Sequence, residues 1–332
     1  MSIGSEQHAR NDERLAMLSA LVNGDVQLAY RLVLELLANG MSFDAIVVEV
    51  LAPVQEDVGR RWAAGELGIA DEHAASVAVD ELLVRLGATA ETPEGPAIVV
   101  ASAEHDHHAL GGRVVASALA LAGYRVMFLG ASIPAVDLAD FLEMQQPLAL
   151  ALSCSIPTAL AGAARSIAAA HELAIPVVGG GRALTTHERA TRLGFDALAR
   201  LPGDAVEILR SWEHAPPNQL LVAPDPIPEL AAITAQHHTL VAMAINATTI
   251  AGATPTALIE EVERVLQVIG SAMLVQESAL IADHVQWLRE TGPAHGFERT
   301  VIDSALAGLA NAMRGELQPA SAALRLALGD HQ

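Results

Sequence analysis

Ala97-Ile98-Val99-Val100-Ala101-Ser102-Ala103-Glu104-His105-Asp106-His107-His108-Ala109-Leu110-Gly111-Gly112 decides how this chain is read. Its first seven residues form a short apolar run, as expected of a strand buried on both faces. A polar loop follows, and the glycine pair opens a helix. Strand, loop and helix in that order make one unit of a parallel α/β sheet, whose ligands sit beyond the strands' carboxyl ends. The loop holds Asp106-x-His108-x-x-Gly111. An aspartate two residues before a histidine can hold one ring nitrogen and make the other a better metal ligand. The glycine lets a bulky ligand approach the backbone. Taken alone, such a loop reads equally well as solvated polar surface, so its surroundings must decide.

Downstream, residues 96–212 keep a β/α rhythm. Strands are expected at Ala97–Ala103, Arg125–Leu129, Leu148–Ser153, Pro176–Gly179 and Asp196–Ala199. Helices are expected near Gly112–Ala122, Val136–Met144, Pro157–Glu172, Thr186–Leu193 and Asp204–Trp212. Right-handed crossovers turn this order into a doubly wound, flavodoxin-like parallel sheet of five strands. Two more carboxyl-end loops are notable: Ser153-Cys154-Ser155-Ile156-Pro157-Thr158 and Gly179-Gly180-Gly181-Arg182. Small residues and hydroxyls there would make a slot for a slim polar or phosphate-bearing chain. Ordinary tight turns are the alternative.

Upstream, helical spacing of apolar residues runs through Leu15–Val22, Val26–Leu37, Phe43–Trp62 and Ile69–Leu86, with Ser42 and Asp71 as expected N-caps. Short loops between four such segments predict an antiparallel bundle over 1–90. A polar Glu91–Pro96 linker joins it to the sheet domain. Beyond, five prolines within Pro216–Pro228 suggest a stiff linker over 213–228. Residues 229–332 return to helices, about Leu230–Ala251, Thr256–Ile269, Ala272–Glu290, Phe297–Arg314 and Ala320–Leu328, enough for a small core of their own. The fold class is therefore α/β plus all-α.

Composition narrows the chemistry. Net charge is −20, and all 19 basic residues are arginine. Without lysine there is no Schiff base and no P-loop. The acidic balance disfavours direct nucleic-acid and anionic-membrane binding. One cysteine, Cys154, excludes an internal disulfide and a cysteine-rich zinc site. No apolar run is long enough to span a bilayer, and the first residues lack a signal-peptide pattern. The expectation is a soluble cytoplasmic protein.

Asp106-x-His108-x-x-Gly111, Ser153 after 41 intervening residues, and Gly179-Gly180 together resemble the cobalamin-binding Rossmann-type family. The resemblance implies His108 as the lower axial ligand of cobalt, with Asp106 as its hydrogen-bond partner. It also implies that Ser153, Thr158, Gly179 and Gly180 line a slot for the displaced nucleotide tail, with Ser155 and Gly111 as further cofactor-binding candidates. Ser155 stands where that family often has leucine. Trp62, nine residues, then Glu72-His73 is similar to the cap of the adenosylcobalamin-dependent photoreceptor family, which includes light-dependent transcriptional repressors. That likeness implies that Trp62 shelters the adenosyl group and Glu72 holds the nucleoside. His73 would ligate cobalt after light breaks the Co–C bond. A core tryptophan beside a helix-capping pair is the plainer reading.

The order of cap, cobalamin domain and helical domain resembles the photocobilins, which add a bilin, and their C-terminal domain is expected to be globin-like. Residues 213–332 contain no cysteine, so a biliverdin there would be non-covalent. Its candidate contacts are His237, His238, His284, Trp287 and Arg289, with arginine or histidine meeting the propionates. The implied function is a photoreceptor rather than an enzyme, signalling through a protein partner or a change in homo-oligomeric state. The alternatives are a corrinoid carrier of a methyltransferase system and a light-independent cobalamin-sensing regulator. A mutase would need a substrate barrel, for which residues 229–332 are too few.

Overall fold

The computed structural model describes residues 3–88, 95–217, 220, 227–248 and 255–329. Most of the expected 91–96 linker, half of the expected 213–228 linker and the expected helical turn at 249–251 lie outside the described residues.

The bundle contains α1 (Ile3–Val22), α2 (Val26–Ala38), α3 (Phe43–Ile46), α4 (Ala52–Ala63) and α5 (Ile69–Gly87). α3 and α4 are one rod joined by a π-helical turn, Val47–Leu51. Pro53 is the cause. It has no N–H for the Glu49 carbonyl four residues back, and a π turn relieves the ring's clash with that carbonyl. Arg14 of α1 donates to the Glu49 carbonyl instead, at 2.6 Å. Ile46, Val50, Val54 and Val58, spaced by four along the rod, point into the bundle core beside Met17, Leu21, Leu82 and Leu83. Ser42 caps α3 as expected, accepting from the Ala45 N–H at 3.1 Å. Asp71 is not the cap of α5. Gly68 holds that position, and Asp71, three residues in, accepts the Gly68 N–H at 2.9 Å.

The sheet is parallel, in the order β2 (Arg125–Gly130), β1 (Ala97–Ser102), β3 (Ala149–Ser153), β4 (Val177–Gly180), β5 (Ala197–Leu198). β1 and β3 are buried along their whole length, whereas β2 is an edge strand with Arg125 exposed. The winding reverses between β1 and β3, which opens a crevice at their carboxyl ends. In register, Ser102 pairs with Ser153 and Ser153 with Gly180, so all three loops leave the sheet at one level. Helices α6 (Leu110–Leu121), α7 (Ala135–Gln145), α8 (Leu160–Glu172), α9 (His187–Leu193) and α10 (Pro202–His214) flank the sheet.

The bundle docks onto the sheet domain through α5 against α6. Arg113 meets Asp80 at 2.8 Å, and the Ser117 hydroxyl donates to the Leu83 carbonyl at 3.0 Å. On another edge, the Gly203 N–H at the start of α10 donates to the Asp44 carboxylate at 3.1 and 3.2 Å.

The C-terminal helices are α11 (Pro228–Asn246), α12 (Pro255–Val275), α13 (Ala279–Thr291), α14 (Arg299–Ala312) and α15 (Gln318–Leu328). Two expectations are corrected here. The break placed at Gly270-Ser271 falls instead at Gln276, whose φ is +57°. Gly270 is a contact residue: a Cβ there would stand 2.7 Å from Leu230 Cδ1, where α11 crosses α12. Nor is this core separate. α12 lies against α8, α9 and the 3-10 turn Pro157–Ala159, and one apolar cluster runs from Leu150, Leu152 and Leu160 to Leu258, Val262 and Ile269. At the seam the buried Arg189 pairs with Glu277 through two nitrogens, one at 2.9 Å, and donates to the Ala183 carbonyl. Among the described residues no helix is long and apolar enough to cross a membrane.

Candidate functional site

Asp106 is wholly buried at the end of β1 and accepts three donors. Oδ1 takes the His108 backbone N–H and ring Nδ1, both at 3.0 Å, and Oδ2 takes the Ser155 N–H. The loop is thus tied to itself and to the β3 loop through one carboxylate. With Nδ1 donating to Asp106, the lone pair of a neutral imidazole is on Nε2. The His108 side chain is 61% exposed, so that nitrogen is accessible. Its pKa is raised, first by the hydrogen bond it donates to Asp106 and then by the charges of Asp106 and Glu72, against burial and Arg182. Glu72 belongs to α5 of the cap, so the cap's acidic side chain and the His108 ring share one electrostatic neighbourhood. Among the described residues no group of three or more His, Cys, Asp or Glu could hold a bare metal ion. A single imidazole suits a metal whose other positions are filled by its own macrocycle.

Between cap and sheet lies a cavity of about 530 Å³. Gly111, Ser153, Gly179 and Gly180 line it, with Val100, Ala151 and Val178 behind them and Val47, Leu51, Gln55 and Val79 from the cap. The glycines are needed for space. A Cβ on Gly111 would stand 3.0 Å from the Ser153 hydroxyl, and one on Gly179 would meet the Phe195 ring at 2.6 Å. The Ser153 hydroxyl is buried without a hydrogen-bond partner, an open donor and acceptor on the wall of a largely apolar slot. A nucleotide tail with an aromatic base and polar linkage fits such a slot.

Ser155 and Thr158 do not line the cavity. Ser155 serves through its backbone N–H on Asp106, and Thr158 is buried in the turn that meets α12. Trp62, half-buried, ends α4, and Glu72-His73 lies in the first turn of α5. Glu72 contacts the His73 Nδ1 at 2.7 Å and accepts the Ser76 hydroxyl at 2.8 Å. His73 is 69% exposed. Arg182 of the Gly179–Arg182 loop is also on the cavity wall; sequence reasoning missed Gln55 and Arg200 there, and no motif in the chain marks those two.

The bilin candidates do not form one cluster. His237 and His238 stand edge to face at 5.4 Å on α11, while His284 stacks on Trp287 at 5.7 Å on α13. No hydrogen bond, ion pair or ring contact joins the two pairs among the described residues. Arg289, expected to meet a propionate, is paired with Asp303 at 2.7 Å and reaches the Leu328 carbonyl at 3.3 Å. Burial pushes the His284 pKa down to about 4, because its Nε2 is enclosed without a partner.

Comparison with known proteins agrees with this geometry. Residues 96–210 match the B12 binding domain family, and residues 14–86 match a second B12 binding domain family. Over 105 residues the chain is 37% identical to the HTH-type transcriptional repressor CarH of Myxococcus xanthus, covering 32% of this chain and 35% of the repressor. The chain thus spans about a third of that relative's length. It is 25% identical over 202 residues to the trimethylamine corrinoid protein of Methanosarcina barkeri, covering 56% of this chain and 90% of that protein. The solved monomethylamine corrinoid protein of the same organism superposes with a TM-score of 0.47 at 20% identity, over 60% of this chain and 96% of that one. The two domain matches and the Asp106–His108 geometry support one conclusion: this chain binds a cobalamin, with a helical bundle packed against a Rossmann-like domain.

Proposed function

We propose that the chain is a light sensor that holds adenosylcobalamin between cap and sheet. The observation that carries this reading is the spacing Trp62-x9-Glu72-His73, with Trp62 at the end of α4 and Glu72 against His73 Nδ1 at 2.7 Å at the start of α5. Bound adenosylcobalamin supplies a photolabile Co–C bond. The residues supply the rest. Asp106 keeps Nδ1 of His108 occupied, so that Nε2 would be free to hold the cobalt. Gly111, Ser153, Gly179 and Gly180 take the nucleotide tail. Trp62 would shelter the adenosyl group, Glu72 would help hold its nucleoside, and the exposed His73, steadied at Nδ1 by Glu72, would offer Nε2 to the cobalt.

The C-terminal helices are the proposed output. They touch both parts that bind the cofactor: Arg189 and Glu277 grip the loop after β4, and Ala294 stands 3.6 Å from where a Cβ on Gly65 of the α4–α5 turn would be. A partner protein or a second copy of the chain would read their displacement. A bilin in this domain rests on the resemblance to photocobilins alone. The corrinoid-carrier reading draws support from the match over 90% of the trimethylamine corrinoid protein, and in it the cap would shelter a methyl group.

Absorption spectra separate these readings. The chain is loaded with adenosylcobalamin, methylcobalamin or biliverdin and recorded in darkness and after green and red light. The sensor reading expects a stable dark adenosyl form, a green-light change that persists, and loss of the light-adapted spectrum in His73→Ala with dark binding intact. A light-adapted spectrum unchanged by His73→Ala removes His73 from the mechanism. Preference for methylcobalamin with no persistent light state favours the carrier.

A further inference from the structure

Two polar atoms on opposite walls of the cavity between cap and sheet are buried without hydrogen-bond partners: the Ser153 hydroxyl at the end of β3 and the Gln55 amide nitrogen, Nε2, on α4. Burying a donor with nothing to receive it is unfavourable, and folded chains keep few such groups. Of the Gln55 neighbours on the cap wall, Val47, Leu51 and Val79 are apolar, and the Glu56 carboxylate makes no hydrogen bond to its Nε2. What satisfies Gln55 must therefore come from inside the cavity.

Position narrows the partner. Gln55 precedes Trp62 by seven residues on one helix, which is two turns, so both side chains leave the same face about 10 Å apart. Neither Trp62 nor His108 lines this cavity, so a macrocycle held by those two residues would meet Gln55 only at its rim. The rim of cobalamin's corrin carries carboxamide arms, each with a carbonyl acceptor. The tail phosphate is a poorer match for a neutral amide, and Arg182 and Arg200 on the same cavity wall suit it better.

We propose that Gln55 is a cobalamin-binding residue whose Nε2 donates to a carboxamide carbonyl on the corrin rim, fastening the cap to the ring from a point remote from the cobalt. The proposal rests on cobalamin binding and is independent of light sensing.

The test uses the full chain with Gln55→Leu and, as a second variant, Gln55→Glu. Affinities for adenosylcobalamin and for cobinamide, which lacks the nucleotide tail, are read by absorbance titration, and the melting temperature of the unloaded protein is read alongside. Loss of one neutral hydrogen bond should weaken both corrinoids by about 3- to 10-fold in Gln55→Leu. Gln55→Glu, with only acceptors facing a carbonyl, should weaken them further. The unloaded Gln55→Leu protein should melt no lower than wild type, since it loses an unsatisfied group. Unchanged affinities, a loss with adenosylcobalamin but none with cobinamide, or a lower melting temperature in Gln55→Leu would each overturn the assignment. A wild-type chain that binds no corrinoid would instead overturn the cobalamin reading itself.

Discussion

Asp106→Asn isolates the contribution of one buried carboxylate. The replacement keeps the shape and removes the charge and one acceptor. Asp106 receives two donors from His108 on one oxygen and the Ser155 N–H on the other. An asparagine offers one oxygen and an NH₂, so whichever way it turns, at least one N–H faces another donor. An unsatisfied buried donor costs about 1–3 kcal/mol. A domain of this size loses about 2–4 °C of melting temperature per kcal/mol. The unloaded variant should therefore melt a few degrees lower. The second effect is on the ligand. Without the carboxylate, the Nδ1–H of His108 is held by a neutral amide at best, and the Nε2 lone pair is less basic. Removing such a partner of a metal-bound histidine costs 10- to 100-fold in metal affinity, or about 1.4–2.8 kcal/mol. Thermal melts of the unloaded chain and absorbance titration with adenosylcobalamin measure the two effects. An affinity within threefold of wild type, with His108 still ligating in the bound spectrum, would refute the idea that Asp106 tunes this histidine.

The other predictions concern the C-terminal domain. His284 has a folded pKa near 4, below its ordinary 6.5, so the unfolded chain binds the extra proton first as pH falls. Its contribution is present above pH 6.5 and is lost between 6.5 and 4, roughly 3 kcal/mol in all. Replacing it, as in His284→Phe, should flatten the dependence of melting temperature on pH across that window; an unchanged slope counts against it. Glu277→Gln removes the charge that balances the buried Arg189. Breaking a buried pair costs about 3–5 kcal/mol, and the partial exposure of Glu277 (34%) puts this one at the low end. Arg189 also lowers the Glu277 pKa, so this stability is present above the ordinary 4.5 and is lost as pH falls through the lower folded value. Hydrogen exchange should speed up in α12 and in the Gly181–Thr185 loop together; faster exchange in neither would show that the clamp carries little.

Much of this architecture is legible in the residues. Each expected strand lies within two residues of the observed one, because parallel strands covered on both faces need continuous apolar runs. Asp106 and His108 are readable because the interaction is local, closed across two residues by the backbone. Capping was less legible. Asp71 has the chemistry of an N-cap and instead occupies the third position, behind Gly68, which the apolar spacing from Ile69 leaves just outside the helix. The break at Gln276 rather than Gly270 escaped for a related reason: a glycine signals a turn by its freedom, yet here it is kept because Leu230 presses on the helix.

By itself, then, the sequence determined the order of helices and strands, the parallel sheet and the Asp106–His108 pair, all set by spacings of a few residues. The tertiary structure alone decided that the C-terminal helices share the core of the sheet domain, that Arg189 finds Glu277, and that Gln55 faces Ser153 across a cavity. Those pairings join residues about a hundred positions apart, 88 for Arg189 and Glu277. Contacts at that range depend on how packed faces meet, and no local periodicity records them.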